Sequence, residues 1–394
     1  MPSYNEQIID AFPSFTAQIP IPSQSPAPID ALPILMTLGP PISLSTFPGP
    51  QTYPRALKLR SGALLGVYTA YEPTNTISLS KTHDNGLNWI PYSTVVSAPQ
   101  SANDSIELNN GFLFELPSGH LLCTFRAHTR TSDTNVTEEK TGIQNAGYLF
   151  YRLVIYYSDD EGMTWKYLST PASDGPGHIH GNWEPFLRLA HNGDLQFYYS
   201  REIGGRDQDN LMRVSHDDGI TWSEPRIVSG EGMATRDGMM GIEEIVPGGG
   251  VLMTVFESVE ETGDGEGRFA VNGVVSRDDG QTWGERRVIY ETGIWDDPIK
   301  RWWKRNAGAP QIARVRNKLV VSFMTDEDKL EGRWHRNAAV KIIVSEDGGL
   351  TWGSKMTVAE KPAAWAGLLA LNDSSFLVLC EHANRAEVRQ VTFT

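Results

Sequence analysis

The chain has 394 residues, is 40% hydrophobic and 10% aromatic, and carries 37 glycines and 24 prolines, a composition of short strands and turns rather than long helices. Its net charge of −14 offers no positive field to gather a phosphate backbone, which argues against a nucleic-acid partner. No run reaches the ~18 to 20 apolar residues that cross a bilayer, and Cys123 and Cys380 give neither a metal spacing nor a disulfide framework, so they read as small buried hydrophobes.

The N-terminus lacks a basic segment followed by an apolar run. The compartment stays open: cytoplasmic if Met1 is native, secreted if a leader was removed, with sequons at Asn103, Asn135 and Asn372 compatible with the second. Residues 1–41 form a Pro-rich segment without a recognisable pattern, and residues 42–394 are expected to form one domain. From Tyr53 two patterns alternate. The first is a pair of apolar runs around a Gly or Asn turn, as in "YPRALKLRSGALLGVYTA" from Tyr53, "GFLFELPSGHLLCTFRAH" from Gly111, "NWEPFLRLAHNGDLQFYYSRE" from Asn182, "MGIEEIVPGGGVLMTVFES" from Met240 and "GAPQIARVRNKLVVSFMTD" from Gly308.

The second pattern is a Ser-x-Asp-x-Gly-x-Thr-Trp box: Thr82 to Trp89 in variant form, then Ser158 to Trp165, Ser215 to Trp222, Ser276 to Trp283 and Ser345 to Trp352. The five aspartates, Asp84, Asp160, Asp217, Asp278 and Asp347, lie 76, 57, 61 and 69 residues apart, the period of a repeat array whose unit is a small sheet. Each box reads as a hairpin turn: Ser and Asp side chains bond nearby amides, Gly takes a positive φ, and Trp covers the turn. A calcium loop is excluded, because its alternating ligands and closing Glu are absent. A sixth hairpin from Ala363 has no box after it. Five four-stranded units and a terminal part-unit suggest six blades, the last closed by a strand from the other end of the chain; the run Ile42 to Thr46 is expected to supply that strand.

The boxes resemble the Asp-boxes of the sialidase superfamily, and the resemblance implies an all-β fold, a six-bladed β-propeller. In such a meander the boxes lie on the bottom face, while first-strand starts and second-strand ends gather at the top of the axis. Those positions hold Tyr53, Arg55, Tyr71 and Glu72; Asn109, Asn110, Arg126 and His128; Trp183, Glu184, Tyr199, Arg201 and Glu202; Arg236, Asp237 and Glu257; Asn306, Asp326 and Glu327; Trp365 and Glu381. Paired carboxyls among aromatics suit glycosidic cleavage, in which one acid protonates the leaving oxygen and one carboxylate attacks carbon or activates water. Glu184 sits in the apolar "GNWEPF" and Glu257 closes the otherwise uncharged "VLMTVFE", poor places for solvated charges. Glu243 and Glu244 are mid-strand neighbours facing opposite ways and read as structural.

"WEPF", "FYYSRE", "RDQDN" and "TRDGM", with an acid closing the next hairpin, resemble the exo-α-1,5-L-arabinanases of glycoside hydrolase family 93. The resemblance implies release of arabinobiose from linear arabinan with retention of configuration, Glu184 as nucleophile and Glu257 as acid/base. Tyr53, Arg55, Trp183, Tyr199, Arg201, Arg236, Asp237 and Trp365 are expected to hold the sugar. The expectation includes no cofactor, no metal, a saccharide as partner and a monomer. Two readings compete: a sialidase-type glycosidase using Arg55, Arg236 and Arg301 as an arginine triad, and a non-catalytic glycan-binding propeller. His178 to His180 lack a third metal ligand, and Arg301 to Lys304, "RWWK", reads equally as a sugar platform or as packing.

Overall fold

The structure is a computed structural model that describes residues 33–99, 104–131, 148–175, 181–204, 207–259, 268–293, 305–328 and 334–394. Two units are distinguished, Met1–Pro33 and Ile34–Thr394. The second unit holds six antiparallel sheets, each a meander. Blade one runs Gln51–Lys58, Leu64–Ala70, Thr76–Thr82 and Ile90–Ser97; blade two runs Asp104–Glu115, Leu121–Thr131, Tyr148–Ser158 and Lys166–Asp174. Blade three runs Asn182–Leu189, Leu195–Gly204, Asp207–Ser215 and Arg226–Ser229, and blade four Gly238–Val246, Val251–Val259, Phe269–Ser276 and Gly284–Tyr290. Blade five runs Ala307–Val315, Lys318–Thr325, Ala339–Ser345 and Gly353–Ala359. Among the described residues the helical structure is a single turn, Trp334–Arg336.

Blade six takes Ala363–Ala370, Ser375–His382 and Arg385–Phe393 from the C-terminus and its outer strand from the N-terminal side. That outer strand comes in two pieces. Met36–Leu38 pairs with Val391 to Phe393, and Ile42–Ser43 pairs with Glu387 and Val388. The closing strand expected at Ile42 to Thr46 therefore stops at Ser43 and gains a second piece upstream. Gly39, Pro40 and Pro41 separate the two pieces, since proline has no N–H to give a ladder. This closure removes the free edge that an unclosed sixth sheet would present.

Apolar side chains fill the spaces between blades, one cluster for each of the six interfaces. Val67, Leu79, Cys123 and Phe125 pack between blades one and two, and Leu44, Tyr68, Trp89 and Leu379 between blades six and one. The boxes stand at the third-to-fourth-strand turns. In the third box Ser215 Oγ donates to Asp217 Oδ1 at 2.8 Å, and Thr221 donates its N–H and Oγ1 to the two oxygens of Asp217 at 2.8 and 2.6 Å. These donors hold the Asp217 carboxyl down at about 2. Gly219, at φ +94°, occupies the left-handed position that closes the turn.

One backbone feature recurs in all six blades and positions the top of the axis. Each first strand carries a register shift against its neighbour, between Thr52 and Arg55, Asn109 and Phe112, Trp183 and Phe186, Gly238 and Gly241, Gly308 and Gln311, and Ala364 and Gly367. Inside each shift one non-glycine residue has a positive φ: Tyr53 49°, Asn110 55°, Glu184 45°, Met239 55°, Ala309 46° and Trp365 55°. A bulge of this kind adds a residue to one strand and re-aims its side chain. The left-handed conformation costs such residues on the order of 1–3 kcal/mol each, a cost that clusters at functional sites.

Candidate active site

The bulge residues of blades one to four, Tyr53, Asn110, Glu184 and Met239, line a narrow pocket together with Arg55 and with Gln311 of blade five, among others. Glu184 is half-buried there, in the first strand of blade three, and Glu257 is half-buried at the far end of the second strand of blade four. The pairing of Glu257 with Gly238 sets it beside the blade-four bulge. The two carboxyls feel one another's charge. Burial is the main force on Glu184 and pushes it up to about 8; Glu257 raises it further, while Arg126 and Arg236 pull it down. Glu257 is also raised by burial, opposed by the Ala309 N–H that donates to its Oε2 at 2.7 Å and by Arg236. Both carboxyls are thus held above the ordinary carboxylate range.

Each of the two arginines beside the pair has its own acid. Arg126 donates to Glu107 Oε1 at 2.6 Å and lies over the Trp183 ring at 4.9 Å from its centroid. Arg236 donates to Glu202 Oε1 at 2.7 Å. Glu107 also accepts from Arg130 and from the Tyr148 hydroxyl, at 3.2 and 2.8 Å. An aromatic group stands on the blade-two side: Trp183, Tyr148 and Tyr151 meet the buried His128 edge-on at 4.9, 5.6 and 5.0 Å. Across the axis Tyr53 stacks on Trp365 at 4.8 Å and 28°. Two raised carboxyls, flanked by aromatic faces and fixed donors, can do acid–base and nucleophilic work on a polar, ring-shaped ligand.

A family model described as BNR repeat-like domain matches residues 152–391. The chain belongs to the BNR repeat-like family. A search of curated proteins found no match. Among solved structures, the α-L-arabinofuranosidase of Fusarium graminearum from glycoside hydrolase family 93, solved with arabinobiose, is 19% identical with a TM-score of 0.63, covering 89% of this chain and 98% of that one. The Penicillium chrysogenum α-L-arabinanase complexed with arabinobiose is 18% identical with a TM-score of 0.62, covering 91% and 98%. The NanB sialidase of Streptococcus pneumoniae is 13% identical with a TM-score of 0.54, covering 93% and 71%. At these identities the likeness establishes the sialidase-like propeller fold of this BNR repeat-like protein.

Of the ten residues singled out from the sequence, six meet at the axis: Glu184, Glu257, Tyr53, Trp183, Arg236 and Trp365. Arg55 lies just beneath, where its Nη1 donates to the carbonyls of Pro54 and Trp365 at 2.8 Å each, tying blade one to blade six. The other three are placed elsewhere. Tyr199, 1% exposed, packs with Leu153, Phe197 and Leu211 between blades two and three, because strand alternation turns it toward the neighbouring blade rather than the axis. Arg201 forms a two-bonded pair with Asp174 of blade two at 3.1 and 3.0 Å. Asp237 is fully buried and accepts from Arg286 at 2.7 and 3.0 Å and from Ser258 Oγ at 2.7 Å. Its partner comes from an outer strand of the same blade, so Asp237 braces blade four.

Arg126 stood among the top-face positions, but its weight at the site comes from Glu107, a strand residue that no motif singled out. Glu327 is held by Lys341 and Lys355, and Asp326 accepts the Asn306 N–H. Glu243 accepts the Arg314 N–H and Glu244 the Gly250 N–H, both structural uses. Cys123 and Cys380 are buried and free. His178 to His180 and Arg301 to Lys304 lie outside the described residues, and among the described residues no acid, His and Cys cluster could hold a metal.

Proposed function

We propose that this propeller is a retaining exo-glycosidase that cleaves a linear α-1,5-linked arabinofuranosyl chain from its end and releases arabinobiose. The observation that carries the reading is the Glu184 and Glu257 pair at the top of the axis, two half-buried carboxyls that burial raises above the ordinary range. Glu184 is the nucleophile. Its carboxylate attacks the anomeric carbon as the glycosidic C–O bond breaks, and Glu257 gives its proton to the departing oxygen. Water then attacks the same carbon, losing a proton to Glu257 and freeing Glu184, so two inversions retain the configuration. This division of roles requires Glu184, raised to about 8 by burial, to ionise while Glu257 keeps a proton. Arg126 and Arg236, which both lower Glu184, favour the charged form that attack needs. The division itself rests on the likeness of "WEPF" and its companions to the arabinanases.

The charges favour a neutral sugar over a carboxylated one. Arg126 and Arg236 are already matched by Glu107 and Glu202, which lowers what a sugar carboxylate would gain from them. Chromatography after incubation with linear α-1,5-arabinan, beside a sialyl-oligosaccharide, tests this. Arabinobiose from the first is the expected result; sialic acid from the second would shift the assignment to the sialidase reading, and ligand binding without turnover to a lectin. Glu184→Gln and Glu257→Gln should each lower kcat by orders of magnitude. Azide added to the alanine variants separates the roles: the variant that yields an azide of inverted configuration has lost the nucleophile.

A further inference from the structure

Glu257 is held on one oxygen by a piece of blade five. Gly308 and Ala309 sit in the first strand of that blade, inside its bulge. Ala309 is the left-handed residue of the bulge, at φ +46°, and its N–H donates to Glu257 Oε2 at 2.7 Å. Gly308 leaves the room that this oxygen occupies: a Cβ there would stand 2.5 Å from Glu257 Oε2 and 3.0 Å from Cη2 of Trp334. On its other side Glu257 pairs with Gly238, where a Cβ would lie 3.9 Å from its Cγ.

We infer that Gly308 and Ala309 are positioning residues that fix Oε2 of Glu257 as the permanent acceptor of a backbone amide, so that Oε1 is the oxygen that carries and delivers the proton. The inference rests on the proposed role of Glu257. In a neutral carboxylic acid the carbonyl oxygen is a better acceptor than the hydroxyl oxygen, so with the amide on Oε2 the hydroxyl lies on Oε1. The left-handed turn is the device that aims the amide, since an ordinary strand residue would give it to the ladder. The device restrains the side chain rather than the fold. The oxygen a new Cβ would strike is the far end of a flexible side chain, so the fold survives the substitution and the carboxyl moves.

Gly308→Ala should therefore melt near the parent temperature but lose about 100-fold in kcat, the scale expected for a misplacement of about 1 Å, with KM for arabinan little changed. Because the amide stabilises the ionised form, its loss should also move the alkaline limb of kcat upward. Ala309→Gly keeps the amide and accepts a positive φ, and should retain turnover within about twofold. Should Gly308→Ala fail to fold, replacing Ala309 with lactic acid by nonsense suppression removes the N–H without adding bulk and should show the same kcat loss and limb shift. Parent-like kcat and an unmoved limb in Gly308→Ala or the ester, with Glu257→Gln inactive, overturns the inference. Full turnover by Glu257→Gln overturns instead the role assigned to Glu257.

Discussion

Asp237 was expected to touch sugar and instead lies at the centre of a buried ion pair, so Asp237→Ala separates the two roles. The change removes three acceptor contacts, two from Arg286 and one from Ser258, and takes the Asp237 carboxylate from a guanidinium that is only 20% exposed. Removing one partner of a buried pair typically costs about 3–5 kcal/mol, because the remaining charge stays desolvated. Unfolding entropy near 2.1 cal/mol/K per residue over the unit Ile34–Thr394 makes each kcal/mol worth about 1.3 °C. The expected fall in Tm is thus about 4–7 °C, read by calorimetry. KM for arabinan, measured well below the transition, should stay within about twofold of the parent. An unchanged Tm with a raised KM would refute the placement and return Asp237 to the substrate.

Three further outcomes are expected. Tyr199→Phe should leave kcat and KM as they are, since Tyr199 lies between blades; a large fall in turnover would put its hydroxyl in the cleft. Asp209 is pushed up to about 6 by burial first and by the charges of Asp207, Asp237 and Glu231 second. The folded form therefore binds more protons than the unfolded one between about pH 4 and 6, and stability is lost as pH rises through that window. Asp209→Asn should raise stability at pH 7 by about 1–3 kcal/mol and flatten this part of the pH dependence, as denaturant titrations at pH 4 and 7 will show. Glu184 must ionise to attack, so kcat/KM should show a limb near 8, the value to which it is raised by burial first; a profile flat through about pH 7 to 9 would remove Glu184 from the nucleophile's role.

The fold was legible because its signal is local. A box folds on itself through bonds spanning four residues, as from Asp217 to Thr221, so five boxes announce five third-to-fourth-strand turns wherever the chain places them. Glu184 and Glu257 were legible as charges in apolar company. Tyr199 and Asp237 are buried away from the cleft and Arg201 is paired with Asp174, because position near the top of a strand does not settle the direction of a side chain. Alternation sends neighbouring residues to opposite faces, and the bulges change the count, so parity carried across the Trp183 to Phe186 shift fails. The partners that settled the matter, Asp174 for Arg201 and Arg286 for Asp237, lie 27 and 49 residues away and no local pattern links them. The seat of Glu257 was hidden for another reason. Ala309 acts through its amide, and no side chain in "GAPQ" records which carboxyl that amide will meet.

The six left-handed residues suggest why a shared fold says so little about chemistry here. Every blade builds the same bulge and accepts the same backbone cost, yet the side chains it presents are Tyr, Asn, Glu, Met, Ala and Trp. The repeated part is the geometry that brings one residue per blade to the axis, and the variable part is what stands there. Met239 and Ala309 share an apolar cluster with Tyr53 and Trp365, which leaves Glu184 as the only acid among the six, and burial is the main reason its carboxyl is raised. Ala309 offers its amide to Glu257 and keeps its small side chain out of the way. A larger residue at 309 would intrude on that cluster, and a carboxylate at 239 would add a like charge beside Glu184. Propellers of about 13 to 19% identity can therefore share the fold, which fixes the backbone of the ring and leaves its side chains free to vary.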